Sequence, residues 1–156
     1  MSKSLKRVEA ALAAAGLPAR IVEAEAETRT AERAAAAAGC ALDQIVKSII
    51  FRGETTGHVV LFLTAGGNRV DPDRASAAAG QPLGRADADL VRRETGFAIG
   101  GVAPIGHLTP PRCFIDPRLL EFDTVWAAAG TPRHIFAIDP NRLVQICGAT
   151  PAAFTG

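Results

Sequence analysis

The 156-residue sequence contains no apolar run near the roughly 20 residues that a bilayer crossing requires. Its most apolar stretches, Ile49 to Phe51 and Val59 to Leu63, have the length of strands, which excludes a membrane-spanning helix. Net charge is also scarce. Seventeen Lys and Arg against sixteen Asp and Glu leave +1, so no overall positive field draws in long stretches of nucleic-acid backbone, and any such contact must be local. Cysteine is sparse and unpaired in pattern: Cys40, Cys113 and Cys147 are odd in number, far apart and never in a C-x-x-C. They read as reduced, mostly buried thiols rather than a disulfide framework or zinc site. Lys3, Lys6 and Arg7 make a basic start, but Glu9 interrupts the apolar stretch that a signal peptide needs, so the expected location is the cytoplasm. The phosphate-loop pattern G-x-x-x-x-G-K-[ST], the H-E-x-x-H pair and the G-x-S-x-G elbow are all missing, and His58, His107 and His134 lack ligand spacing. The expectation is a protein with no metal and no cofactor.

What is present is a core. Hydrophobic residues make up 48% and charged residues 21%, enough apolar surface to offset the entropy of ordering one domain over 1–156. Leu5, Val8, Leu12 and Ala15 recur at helical spacing after a candidate cap at Ser4, and Gly16 with Pro18 stops the helix. A short strand is expected over 19–24. Thr30 opens an alanine-rich helix that ends at Gly39. Leu42, Ile45 and Val46 fit a helical turn before the strand 47–51, which puts Lys47 at a helix-to-strand junction. The turn-rich 53–57 joins that strand to 58–64 as an antiparallel hairpin. Asp71-Pro72, Asp87 and Asp139-Pro140 each open a helix closed by Gly80, Gly96 and Gly148, with strands expected over 113–115, 124–128 and 134–138. The fold class is α+β: a curved mixed sheet, largely antiparallel, flanked by helices.

Two features carry chemistry. Gly96 to Gly106 holds four glycines without the G-x-G-x-x-G order of a dinucleotide site. Gly100 and Gly101 bare the backbone while Pro104 stiffens it, a combination that can aim peptide N–H groups at a ligand oxygen; a tight bend would use the same residues. Lys47 stands against Ile49-Ile50-Phe51, able to lay its stem on the core and its charge in a cleft, or to snorkel to water.

In this order and distance, three segments resemble the YbaK/prolyl-tRNA synthetase-associated editing-domain family. They are Ile45-Val46-Lys47-Ser48-Ile49-Ile50-Phe51, the stretch Gly96 to Gly106 with its G-x-x-x-P from Gly100 to Pro104, and Val125-Trp126-Ala127-Ala128-Ala129-Gly130-Thr131-Pro132. The resemblance spans most of the chain. It implies a free-standing hydrolase that cleaves the ester between a wrongly attached amino acid and tRNA, with the tRNA acceptor end as partner and an aminoacyl-tRNA synthetase as a further one. By position it assigns Lys47 to the terminal adenosine or the carbonyl, and Gly100 and Gly101 to catalysis, with the Gly101 amide as oxyanion donor. Pro104 would line the reacting ester, with Gly130, Thr131 and His134 at the pocket wall. Arg92, Arg93 or Arg133 would assist acceptor-end binding or serve as solvated surface.

The sequence also departs from the family pattern. It has no tyrosine, and 19–24 lacks the aromatic or histidine-rich character some relatives carry near the first strand. Thr131, Arg133 and His134 stand where an acidic residue is found in some relatives. A non-catalytic module that binds tRNA ends or a nucleotide on the same fold is the alternative that these departures leave open.

Overall fold

Helix α1 (Lys3–Ala14) begins two residues earlier than a cap at Ser4 would place it, because the hydroxyl of Ser2 accepts the N–H groups of Ser4 and Leu5. The computed structural model describes residues 2–18, 20–28 and 30–156. Met1 and Ala19, the expected start of the first strand, lie outside them. Strand β1 (Ile21–Glu23) is followed by α2 (Ala31–Ala38), capped by the Thr30 side chain and closed by Gly39 in the left-handed region. The expected helical turn at 42–46 is shorter than its sequence suggests. A single 3-10 turn spans Leu42–Gln44, and β2 (Ile45–Gly53) starts at once, so Lys47 is the third residue of a strand rather than a junction residue. The β-branched Ile45 and Val46 pair in parallel with Trp126 and Ala127, a tertiary contact that overrides the local helical pattern.

Strand β3 (Val59–Ala65) pairs with β2 along seven register positions, from Val46 opposite Ala65 to Arg52 opposite Val59, as the hairpin pattern predicts. Every residue of β3 is buried. Its uninterrupted apolar run is explained by cover on both faces. Leu61, Leu63 and Ala65 join the main core with α1, Val91 and Leu143. Val60 and Phe62 face the opposite side, where Ala75 and Ala79 of α3 (Pro72–Ala79) meet Phe114 and Phe154.

The remaining elements are β4 (Leu83–Arg85), α4 (Ala88–Thr95), β5 (Arg112–Ile115), β6 (Val125–Ala128), β7 (His134–Ile138), α5 (Pro140–Cys147) and β8 (Thr150–Pro151). The three Asp caps act as expected: Asp71, Asp87 and Asp139 each accept first-turn N–H groups. One sheet runs in the order β1-β7-β6-β2-β3-β5-β8, with β4 pairing β2 off that path. It is mixed, its antiparallel ladders outnumbering the parallel ones among the described residues. The short β4 and β8 carry no alternating apolar signal and are held by partners distant in sequence.

No helix of the described residues is long and apolar enough to cross a membrane.

Candidate functional site

Strand β3 covers one edge of β2 from end to end. The other edge is shared: β6 pairs at Ile45 and Val46, β4 pairs from Phe51 to Gly53, and residues 47–50 between them have no partner strand on that edge among the described residues. In an antiparallel ladder, alternate residues turn their peptide groups toward and away from the partner. The Gly53 N–H donates to His58 on the β3 side, so the peptide groups of Ser48, at odd spacing from Gly53, turn to the open side. A cavity of about 360 Å³ opens on this gap. The start of α2 forms one wall, Trp126, Ala127 and Ala128 another, and Ile99, Gly100 and Val102 a third.

Lys47 lines this cavity, and its ammonium donates to the main-chain carbonyl of Asn68. Burial lowers its pKa; Arg69 adds to that, while Glu32, Asp116 and Asp43 pull the other way. Asn68 is itself held, its amide nitrogen donating to Asp116 at 2.9 Å, and Asp116 also accepts the Ala65 N–H at 3.1 Å and the Arg118 N–H at 3.0 Å. Asp116 is 3% exposed, so this carboxylate at the end of β5 fixes the turn that moors Lys47. An ammonium has three donors, and only one is given to Asn68.

The glycine-rich segment divides between two cavities. Gly100 and Val102 face the first, and among the described residues their N–H groups have no hydrogen-bond partner. Gly101 does not line it, and its N–H donates to Ala98 at 3.1 Å, closing a turn. Pro104 lies on a separate cavity of about 140 Å³ with His107, Cys113 and Cys147. Lys47 and Gly100 are therefore brought together, whereas Gly101 and Pro104 turn elsewhere.

Gly130 and Thr131 back the glycine segment, His134 is held behind them by Thr131, and none of the three lines the first cavity. A Cβ on Gly101 would sit 3.1 Å from the Cα of Thr131, so the two segments touch main chain to main chain. Gly130 has φ 94, and a Cβ there would lie 2.8 Å from the Ser4 carbonyl oxygen. The Thr131 hydroxyl accepts the Arg133 N–H and lies 2.6 Å from His134 Nδ1, and His134 Nε2 lies 3.8 Å from Glu23. Arg133 is committed as well, its guanidinium donating to the carbonyls of Ala24 and Glu25. Arg92 and Arg93 are exposed on α4. Trp126 forms part of the first cavity's wall.

Three residues essential to this arrangement carry no sequence signal. Asn68 and Asp116 act through a contact made only in the fold. Arg7, on α1, donates to the carbonyls of Gly106 and Thr95 and lies 4.5 Å from the Phe97 ring centroid, clasping both ends of the glycine segment. The cavity lining contains no imidazole, thiol or carboxylate among the described residues; its polar side chains are Lys47, Ser48, Thr28 and Thr30.

A family model for an aminoacyl-tRNA editing domain matches residues 25–146. A protein of Bacillus subtilis (strain 168) described as the uncharacterized protein YwhH is 32% identical over 125 residues, covering 80% of this chain and 79% of the relative. Among solved structures, one named as a candidate trans-editing enzyme for prolyl-tRNA synthetase superposes with a TM-score of 0.92 at 45% identity, over 100% of this chain and 99% of the other. A hypothetical protein, APE2540, superposes at 0.86 with 29% identity, over 96% and 99% of the two chains. The segments around Lys47, Gly100 and Gly130 all lie inside the matched span, and the chain belongs to the aminoacyl-tRNA editing domain family.

Proposed function

We infer that the protein is a free-standing deacylase that hydrolyses the ester of mischarged aminoacyl-tRNA, taking the acceptor end into the cavity beside Lys47. The observation that carries this reading is that one cavity is lined by Lys47, whose ammonium is tethered to the Asn68 carbonyl, and by Gly100 and Val102, whose N–H groups are unpaired among the described residues. An aminoacyl ester is already activated. Its hydrolysis needs a placed water and donors for the oxyanion more than a protein nucleophile. The lining, which among the described residues has no acid, imidazole or thiol, suits that chemistry.

In this mechanism the ester carbonyl lies between the Gly100 segment and Lys47. Water adds to the carbonyl carbon, the Gly100 and Val102 amides hold the developing oxyanion, and Lys47 binds the carbonyl or the terminal nucleotide. A hydroxyl of the substrate's ribose orients the water. The tetrahedral species collapses with departure of the ribose oxygen, which takes up the proton given up by the water, releasing the amino acid and free tRNA. The donors are those of Gly100 and Val102 because the Gly101 amide is engaged with Ala98. Gly101, Gly130, Thr131 and His134 act from behind by fixing the segment's position. The alanine, valine and isoleucine walls favour an uncharged amino acid, and selection by volume alone is worth only about 1–3 kcal/mol per methylene.

The test is ester loss from a panel of mischarged tRNAs. Wild type should deacylate at least one member, and Lys47→Ala should be slower by about 10²-fold, the scale of a lost oxyanion-type donor. Binding of the panel with no hydrolysis above buffer would favour the non-catalytic module instead.

A further inference from the structure

The second cavity has no part in the proposed deacylation. About 140 Å³ in size, it is lined by Leu61, Pro104, His107, Cys113, Ile146 and Cys147 among others. Two thiols that are distant in sequence meet here: Cys113 comes from the centre of β5 and Cys147 ends α5. The two thiols are neighbours that perturb one another, and the Cys113 thiol lies 3.9 Å from the Phe114 carbonyl, to which it donates. Cys113 is 5% exposed, Cys147 is half-buried, and both are free thiols. His107 adds a further unusual group. Its Nε2 lies 2.6 Å from the Ala103 carbonyl and donates to it, which leaves Nδ1 as an acceptor that is buried and has no partner among the described residues.

We propose that Cys113 and Cys147 are a redox-active pair that closes reversibly to an intramolecular disulfide when a peroxide enters this cavity.

The two sulfurs are unequal. The contact with Cys147, reinforced by burial, raises the pKa of Cys113. The same contact lowers that of Cys147, with the Ala149 amide acting in the same sense and burial against it. Cys147, half-buried where Cys113 is 5% exposed, is the sulfur that a peroxide in the cavity reaches first and so the attacking one, with Cys113 as the resolving partner. The Cys147 thiolate attacks one peroxide oxygen; an S–O bond forms, the O–O bond breaks, and hydroxide leaves. Cys113 then attacks the sulfur of the sulfenic acid, forming the S–S bond and breaking S–O, and its proton departs in the water released. Two thiols lose two electrons in total, and the peroxide is reduced to two waters. The segment 100–107 stands between this cavity and the first, with Gly100 and Val102 on one side and Pro104 and His107 on the other.

The test treats the full chain with hydrogen peroxide under native conditions, blocks remaining thiols with N-ethylmaleimide, and maps peptides by mass. The expected product is a monomer with a linked pair of peptides containing Cys113 and Cys147, lighter by two hydrogens and separated again by dithiothreitol. Cys40, on the α2 side of the sheet, stays alkylated in the same sample and serves as the internal control. In Cys113→Ser, dimedone should trap a sulfenic acid on Cys147 that wild type does not accumulate. Recovery of both peptides alkylated after oxidation, or cross-links only between chains, overturns the proposal. The wild-type map decides the matter even if the variant fails to fold, and it is independent of any tRNA activity.

Discussion

Lys47 is held at some cost to the fold. Burial lowers its pKa, so the charged form is less favoured in the folded chain than in the unfolded one. Between the lowered folded value and the ordinary lysine value, the unfolded chain binds more protons, and stability rises with pH across that window. The penalty is fully present below it, at neutral pH. Lys47→Met should therefore lose deacylation while showing a Tm at pH 7 no lower than wild type, an advantage that disappears above the ordinary lysine range; a Tm well below wild type would make Lys47 a structural anchor. Gly101 is the converse case. The Cβ of Gly101→Ala would press on the main chain of Thr131 at 3.1 Å, and overpacking of this kind costs about 1–3 kcal/mol. Thermal unfolding should shift down by roughly 2–4 °C per kcal/mol. An unchanged Tm would mean the two segments are not pressed together. Lys47 and Gly100 were legible in the sequence because a cation against an apolar strand and adjacent glycines are local patterns. Asn68, Asp116 and Arg7 were not, since each acts only through residues far away along the chain.

Among the elements, the hairpin β2–β3 and the capped helices follow from turn chemistry and side-chain caps written into short stretches. The exceptions are instructive. The strand β2 begins at Ile45 because Trp126 and Ala127 wait to pair with it, and nothing local in 42–46 announces that partner. One joint between elements is electrostatic. Val59 opens β3 one residue before its pairing with β5 begins at Val60, and its N–H is taken by Glu94 of α4 at 2.9 Å, while the other Glu94 oxygen lies 2.9 Å from His58 Nδ1. Burial acts to raise the Glu94 pKa, but the Val59 amide and His58 outweigh it and leave it lowered. A carboxylate of this kind contributes stability above its unfolded pKa and loses it as pH falls through the folded one. Glu94→Gln should cost about 1 kcal/mol at neutral pH, and its urea midpoint should depend less on pH in the acid range than that of wild type. Parallel pH profiles for the two proteins would contradict the assignment.

At the scale of the whole molecule, the cavity exists because two strands share one edge of β2 and leave a gap between them. The order of strands, and hence the gap, was not legible: an α+β mixed sheet could be read from the alternation of elements, but which strands abut is decided by packing among distant segments. Separating Gly101 from its neighbour Gly100 was likewise beyond local reading, since the Ala98 carbonyl claims the Gly101 amide while that of Gly100 is unpaired among the described residues. With one tryptophan, placed in the cavity wall, and no tyrosine, intrinsic fluorescence reports occupancy of this site directly. Titration should therefore establish binding of an amide-linked aminoacyl-adenosine, which resists hydrolysis. The most direct measurement is then a crystal structure of that complex. The account predicts the analogue's carbonyl oxygen within about 2.7–3.1 Å of the Gly100 or Val102 nitrogen, with the Lys47 ammonium on the carbonyl or the nucleotide. A carbonyl lodged away from both amides and from Lys47 would contradict it.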